Sequence, residues 1–215
     1  MNKTTTLYFV RHGETDYNRL RIMQGRRINS SLNATGRRQA LALANRFQKL
    51  GFDAVYTSSL NRTIETAAPV LKNRANATVG QSSDLDEMCW GVYEGMPSSD
   101  RLQDMLDEMH ARWDGGDFDY CVEEGESIRD VQERGLRAVE RIVREHPGQT
   151  VLIVTHGRLL RVVLSSILDI GLEHMDDIDH ANTGVNVVTY RHGSYASSLL
   201  NCTAHLDVVD SVLVE

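Results

Sequence analysis

Cysteine is scarce in this chain, and its pattern excludes two classes of protein at once. Cys89, Cys121 and Cys202 are an odd number at wide spacings with no CxxC pair, so neither a disulfide framework nor a zinc knuckle is predicted. Long hydrophobic runs are missing as well. The start, "MNKTTTLYFVRHG", carries one lysine and an apolar run of four residues before charge intervenes, too short for a signal-peptide core or a membrane span. A cytoplasmic protein is the expectation. An excess of basic charge is the third absence. A net charge of −7 argues against nucleic acid or an anionic membrane as partner, because either needs basic surface to neutralise phosphates. Any phosphate this protein handles must therefore meet local arginines. A chain of 215 residues can bury a core without disulfide or metal staples, and one domain over 1–215 is expected.

What is present is an alternation of short apolar segments and amphipathic stretches. "LYFV" (7–10), "AVYT" (54–57) and "VLIVT" (151–155) are β-branched or aromatic and bounded by polar turns. That is the pattern of strands buried on both faces, expected here as parallel neighbours. "NATGRRQALALANRFQKLG" predicts a helix with Asn33 as N-cap, an apolar face of Leu41, Ala44, Phe47 and Leu50, and a stop at Gly51. "ESIRDVQERGLRAVERIVREHPG" predicts another. Its stripe is Ile128, Val131, Ala138, Val139, Ile142 and Val143, and His146-Pro147-Gly148 ends it.

"SSLNRTIETAAPVLKNR" reads as a helix that Pro69 kinks or shortens, and "LLRVVLSSIL" as a more buried one. "GVNVVTY" and "YASSLLNC", around Arg191-His192-Gly193-Ser194, form a closing β-hairpin. From Gly95 to Gly125 a short helix around "SSDRLQDMLDEMHARW" gives way to the acidic "DGGDFDYCVEEG". This reads as an insertion over the sheet's edge, with Met105, Leu106 and Met109 as core. Helix and strand in alternation give the α/β class.

Two predicted strands end in His-Gly: "FVRHG" and "IVTHG". Glycine permits a tight turn and close approach of a ligand to the backbone, and a parallel sheet puts both ends on one rim, so His12 and His156 can share a pocket beside Gly13 and Gly157. The strand over 54–57 runs into "TSSLNRT" and brings Arg62 to that rim beside Arg11. Taken singly, His-Gly is a capped turn and Arg62 a solvated helix residue. Together, two arginines and two histidines make a site for a doubly charged anion such as a phosphoryl group.

These motifs give the chain a close resemblance to the histidine phosphatase superfamily, the phosphoglycerate mutase-like proteins. "RHGETDYN", "SSLNRTIETA", "DEMCWGVYEG", "EEGES", "VTHG" and "TAHL" match the family's motifs in the family's order from about Leu7 to Leu206. The resemblance implies a three-layer α/β/α sandwich around a mostly parallel sheet, with a small helical and loop insertion near 95–125. It implies a phosphoenzyme on His12, with Arg11, Arg62 and His156 binding the equatorial oxygens. Glu87 would be general acid and then base, and Asn18 would add a hydrogen bond to the phosphoryl group or substrate. No metal and no other cofactor is implied, since arginines supply the positive charge.

The chain departs from the family pattern at "QGRRINSSLNATG", where Asn29, Ser31 and Asn33 stand in place of the usual Asp and Pro, and at Arg158, where smaller residues are usual. Gln24 and Gly25, with Arg26 and Arg27, are candidates for contacting substrate beyond the phosphate. Glu14 rivals Glu87 as an acid, but its place directly after the His-Gly turn favours a structural hydrogen bond.

Three readings follow. One is a phosphomonoester hydrolase acting on a small phosphorylated metabolite; another is a cofactor-dependent phosphoglycerate mutase; the third is a non-catalytic phospho-ligand binder. The resemblance favours the hydrolase. Mutases of the superfamily typically have Ser at Thr15, Trp at Tyr17 and a longer insertion, and a non-catalytic relative would have lost one of the five central side chains. The acidic loop, with Asp114, Asp117, Asp119, Glu123 and Glu124, would disfavour a heavily charged substrate if it closed over the pocket. Monomer and homodimer both remain open.

Overall fold

The computed structural model describes residues 3–72 and 74–207. Six strands form one sheet: β1 (Thr5–Arg11), β2 (Ala54–Thr57), β3 (Thr78–Gln81), β4 (Thr150–Thr155), β5 (Val185–Arg191) and β6 (Ser194–Cys202), in the order β3-β2-β4-β1-β5-β6. β4 lies between β1 and β2 and is parallel to both. The three apolar segments are thus neighbours, with the most hydrophobic in the middle. β5 runs antiparallel to β1, and β6 antiparallel to β5. The hairpin turns at His192 and Gly193, both at positive φ (55° and 84°). That two-residue geometry matches the right-handed twist of the flanking strands. β3, largely exposed at the edge, has no apolar run to announce it.

Alternate residues of the central strands enter opposite cores. Phe9 and Ile153 pack with the helices on one face, and Val10, Leu152 and Val154 with those on the other. The result is three layers. On one side lie α2 (Ala34–Arg46) and α3 (Asn61–Leu71); on the other, α5 (Ile128–Glu145) and α6 (Gly157–Ile167). In α5 all six stripe residues are buried, the valines and isoleucines each contributing about 1.5–3 kcal/mol. Ser127 and Asp130 close a capping box at its start.

Asn33 caps α2, its Oδ1 accepting the Gly36 N–H at 2.8 Å. Of the expected face of α2, Phe47 is buried and Ala44 and Leu50 pack against the core, and Leu41 alone is misplaced. Ala40, Leu43 and Phe47 are inside while Leu41 is 57% exposed, because the contact line starts from Gly36, which packs against the turn after β1. The helix ends at Arg46, before Gly51. α3 runs through Pro69 and ends two residues later, at Leu71.

The insertion is a helix of 15 residues, α4 (Asp100–Asp114), capped by Ser99. It does not lie over the sheet's edge as expected. Met109 and Trp113 are buried, the Trp113 ring tilted by 45° to that of Trp90 (centroids 6.3 Å apart), and Leu102 and Leu106 line the cleft with Arg11 and His12, which places α4 across the rim where β1 and β4 end. Of the expected core stripe only Met109 is fully buried. Met105 and Leu106 are partly covered, and Leu106 faces the cleft beneath the helix. Among the described residues, no helix is long and apolar enough to cross a membrane.

Candidate active site

Arg11 pairs with Thr155 in the β1–β4 ladder, so His12 and His156 leave the sheet side by side, ring centroids 5.2 Å apart. The turn after His12 is held from three sides. Gly13 N–H donates to Thr66 Oγ1 (2.9 Å), and Asn182 Nδ2 donates to the His12 carbonyl (2.8 Å). A Cβ on Gly13 would stand 2.7 Å from the Gly36 carbonyl oxygen, so glycine is required for the start of α2 to pack there.

His12 is almost fully buried, and its Nδ1 lies 2.7 Å from the Gly13 carbonyl oxygen. A carbonyl only accepts, so Nδ1 carries the proton and Nε2 keeps its lone pair. Burial first, then Arg62 and Arg11, hold the ring's pKa well below 6.5, and it is neutral at neutral pH. His156 is neutral for similar reasons. Its Nδ1 accepts from Arg62 Nε at 3.2 Å, which leaves Nε2–H to donate to Ser58 Oγ at 2.8 Å. Both nitrogens of His156 are therefore engaged by protein, and a bond from Nε2 to a phosphoryl oxygen would replace the one to Ser58.

Arg62 has no exposed surface. Its Nη1 donates to the Ile28 carbonyl (2.7 Å) and Nη2 to that of Gly25 (3.2 Å), and neither Arg62 nor His156 lines the open cleft, so both stand behind His12 and would reach a phosphoryl oxygen only with the second hydrogen of an Nη or by exchanging a bond. Arg11 is held by one bond, from Nη1 to the His180 carbonyl at 2.7 Å. Its Nε is buried and without a partner among the described residues. A buried unpaired donor is costly, and an anion in the cleft would satisfy it. Thr183 N–H donates to the Arg11 carbonyl and Thr183 Oγ1 meets His205, so the "TAHL" segment supports Arg11 from behind.

Glu87 faces the same cleft, about 290 Å³ in volume. Its Oε1 accepts from Met88 N–H (2.9 Å) and Leu159 N–H, and its Oε2 from Arg158 N–H, which seats the carboxylate on the positive end of α6. Three residues fix its loop. Arg134 donates to the backbone carbonyls of Asp84, Asp86 and Glu87 and to the Glu126 carboxylate. Glu126 in turn accepts the Cys89 N–H. Asp86 accepts from Ser59, tying the loop to the segment that leads to Arg62.

Asn18 and Gln24 line the cleft. Asn18 Oδ1 accepts the Thr15 N–H in a capping box at α1 (Asp16–Arg19), so its Nδ2 hydrogens are the part turned to a ligand. The Gln24 amide is braced between Thr15 and Ser30. Gly157 lines the cleft, and Gly25 does not; Gly25 serves the site through its carbonyl, which receives Arg62.

Arg26 and Arg27 point elsewhere. Arg26 pairs with Asp86 and Glu126, and Arg27 with Glu124. Asp117 and Asp119 meet Arg112 and Arg129, and none of the acidic loop's five named carboxylates lines the cleft. Glu14 is structural, accepting from Asn33 Nδ2 at 2.7 Å. Sequence reasoning missed Arg134, Arg161 and His180. Arg161, three residues after Arg158, carried a signal in its helical spacing; His180 carried none.

The family signature described as "Histidine phosphatase superfamily (branch 1)" matches residues 7–203. A metal-independent phosphoserine phosphatase of Arabidopsis thaliana is 30% identical over 97% of this chain and 86% of its own length. A probable phosphoglycerate mutase, GpmB, of Cronobacter sakazakii is 31% identical over 89% of this chain and 88% of its own. Among solved structures, YhfR of Bacillus stearothermophilus superposes with a TM-score of 0.83 at 34% identity, covering 94% of this chain and 99% of that one.

Proposed function

The chain belongs to branch 1 of the histidine phosphatase superfamily, and on that footing we propose that it hydrolyses a small phosphomonoester by passing the phosphoryl group through His12. The observation that carries the reading is the state of two side chains. His12 is neutral with Nε2 unprotonated, and Arg11 offers the cleft a buried, unpartnered donor.

His12 Nε2 attacks phosphorus in line as the P–O bond to the alcohol breaks. Glu87, on the same cleft, gives a proton to the departing alkoxide. Water then attacks the phosphohistidine, Glu87 takes a proton from it, and phosphate leaves with His12 restored. Arg11 and Arg62 carry the charge that spreads over the equatorial oxygens. Preorganised cations in a partly dry site are the largest contribution in such steps. His156 keeps Arg62 oriented through Nδ1 and joins the oxygens by exchanging its Ser58 bond.

The mutase reading has support in the GpmB relative. Thr15 and Tyr17, where mutases typically carry Ser and Trp, favour hydrolysis. Phosphoserine, which the Arabidopsis relative's name specifies, is the first substrate to assay. Release of inorganic phosphate without any bisphosphoglycerate supports the hydrolase. Isomerisation of a phosphoglycerate that depends on bisphosphoglycerate supports the mutase. Binding without turnover leaves only the ligand-binding role.

A further inference from the structure

The cleft contains more positive charge than one phosphoryl group needs. Arg11, Arg21, Arg158 and Arg161 line it, and Glu87 is the only acidic side chain among the lining residues. Arg158 and Arg161 stand three residues apart on one face of α6. Their Nη1 atoms converge on the same oxygen, Asp176 Oδ1, at 2.7 Å for Arg158. Two guanidinium groups thus share one carboxylate, and Glu87, the other acid that acts on Arg158, acts also on Arg11 and Arg62, so positive charge remains in excess.

That charge is held in place firmly. Arg158 is 8% exposed, its guanidinium carbon 5.6 Å from the Trp90 ring centroid and 5.1 Å from that of Trp113. Its Nη2 lies 3.3 Å from His110 Nε2. Burial lowers the His110 pKa, so His110 is a neutral acceptor and brings no negative charge. Arg161 Nε lies 2.9 Å from His180 Nδ1 and donates to the Ile178 carbonyl at 2.9 Å. The carbonyl of the same His180 receives Arg11. One residue therefore joins this second cationic pair to the phosphoryl clamp.

A buried cation left half-compensated is costly unless a ligand completes it. Residual positive charge on rigid, planar forks matches a carboxylate. We propose that Arg158 and Arg161 form a second anion subsite that binds the carboxylate of a small phosphomonoester, making phosphorylated hydroxy acids the substrate class. The proposal rests on the hydrolase reading and adds to it the group recognised at the far end of the substrate.

The test compares a phosphorylated hydroxypropanoate with its uncharged primary amide, for wild type, Arg158→Met and Arg161→Met. The wild type should prefer the acid in kcat/KM by about tenfold or more, chiefly through KM, and the ratio should move toward unity in each variant. The subsite is refuted if the wild type treats the two alike, or if both variants keep the ratio; Arg158 would then only pin α4 by packing between Trp90 and Trp113. Calorimetric binding of both compounds to His12→Ala separates this from failure of the reaction itself and does not depend on the arginine variants folding. Tighter binding of the acid with no hydrolysis by wild type keeps the subsite and rejects the hydrolase. Equal binding rejects the subsite whatever the turnover.

Discussion

Arg134, on a helix remote in sequence from the catalytic loop, donates from Nη2 to the Glu87 carbonyl at 3.0 Å and from Nη1 to that of Asp86 at 2.7 Å. It also forks onto Glu126. Arg134→Met leaves Glu126 with only the part-exposed Arg26 as counter-ion and leaves three carbonyls without a donor. Buried acceptors left without a donor cost about 1–3 kcal/mol of stability. Urea unfolding should show that shift, and kcat should fall by about tenfold or more as Glu87 drifts from its place on α6. Wild-type kcat in the folded variant would mean that the loop holds its shape without Arg134.

Glu87→Gln keeps the shape of the side chain and removes the proton. Turnover of an alkyl phosphate should fall by about 10²-fold or more near neutral pH. An aryl phosphate, whose leaving group is already stable as an anion, should lose less. Equal loss on both would point to a role for Glu87 in holding α6 and not in proton transfer.

Gly157→Ala places a methyl group where the His180 ring now lies, and within 3.5 Å of Arg11 Nε. Backbone propensity at a helix start would tolerate alanine. The expected result is a folded protein whose kcat/KM drops by about tenfold or more because Arg11 and His180 are displaced. Unchanged kinetics would show that the ring moves aside without disturbing Arg11.

Three buried histidines and the half-buried His180 give stability a definite pH dependence. His180 titrates at about 3 and His205 at about 4, mainly through burial, and His12 and His156 are likewise held well below 6.5. The unfolded chain binds protons near pH 6.5 that the fold refuses, so unfolding free energy is unaffected by these groups above that pH and falls as pH drops from 6.5 toward 4. Each histidine adds a slope approaching about 1.4 kcal/mol per pH unit. Denaturant midpoints at about pH 7.5 and about pH 5 should differ accordingly. A flat profile would place these rings in water.

The central sheet was legible because strands buried on both faces must be apolar throughout, and "VLIVT" and its neighbours are. The site's main-chain turns were legible for a similar reason. Gly13 meets Gly36 and Gly157 meets His180 closely enough to demand glycine, which leaves His-Gly visible in the string. What escaped reading depends on side chains meeting across long sequence separations. Arg134 reaches Glu87 over 47 residues, and Arg11 reaches His180 over 169. Neither pairing leaves a local pattern. On α2 only Leu41 was misjudged, because it obeys helical spacing but lies outside the contact line set by Gly36 and Leu43. The placement of α4 turned on Trp113 and Met109, whose burial next to Trp90 outweighs any signal in the polar residues around them.

The most direct test is to trap the enzyme during turnover of a labelled phosphomonoester, quench it in base to preserve phosphoramidate, and map the label by mass spectrometry. Phosphate is expected on a nitrogen of His12, absent in His12→Ala, which should lose at least about 10³-fold in phosphate release. Label on any other side chain, or sustained hydrolysis by His12→Ala, would contradict that expectation.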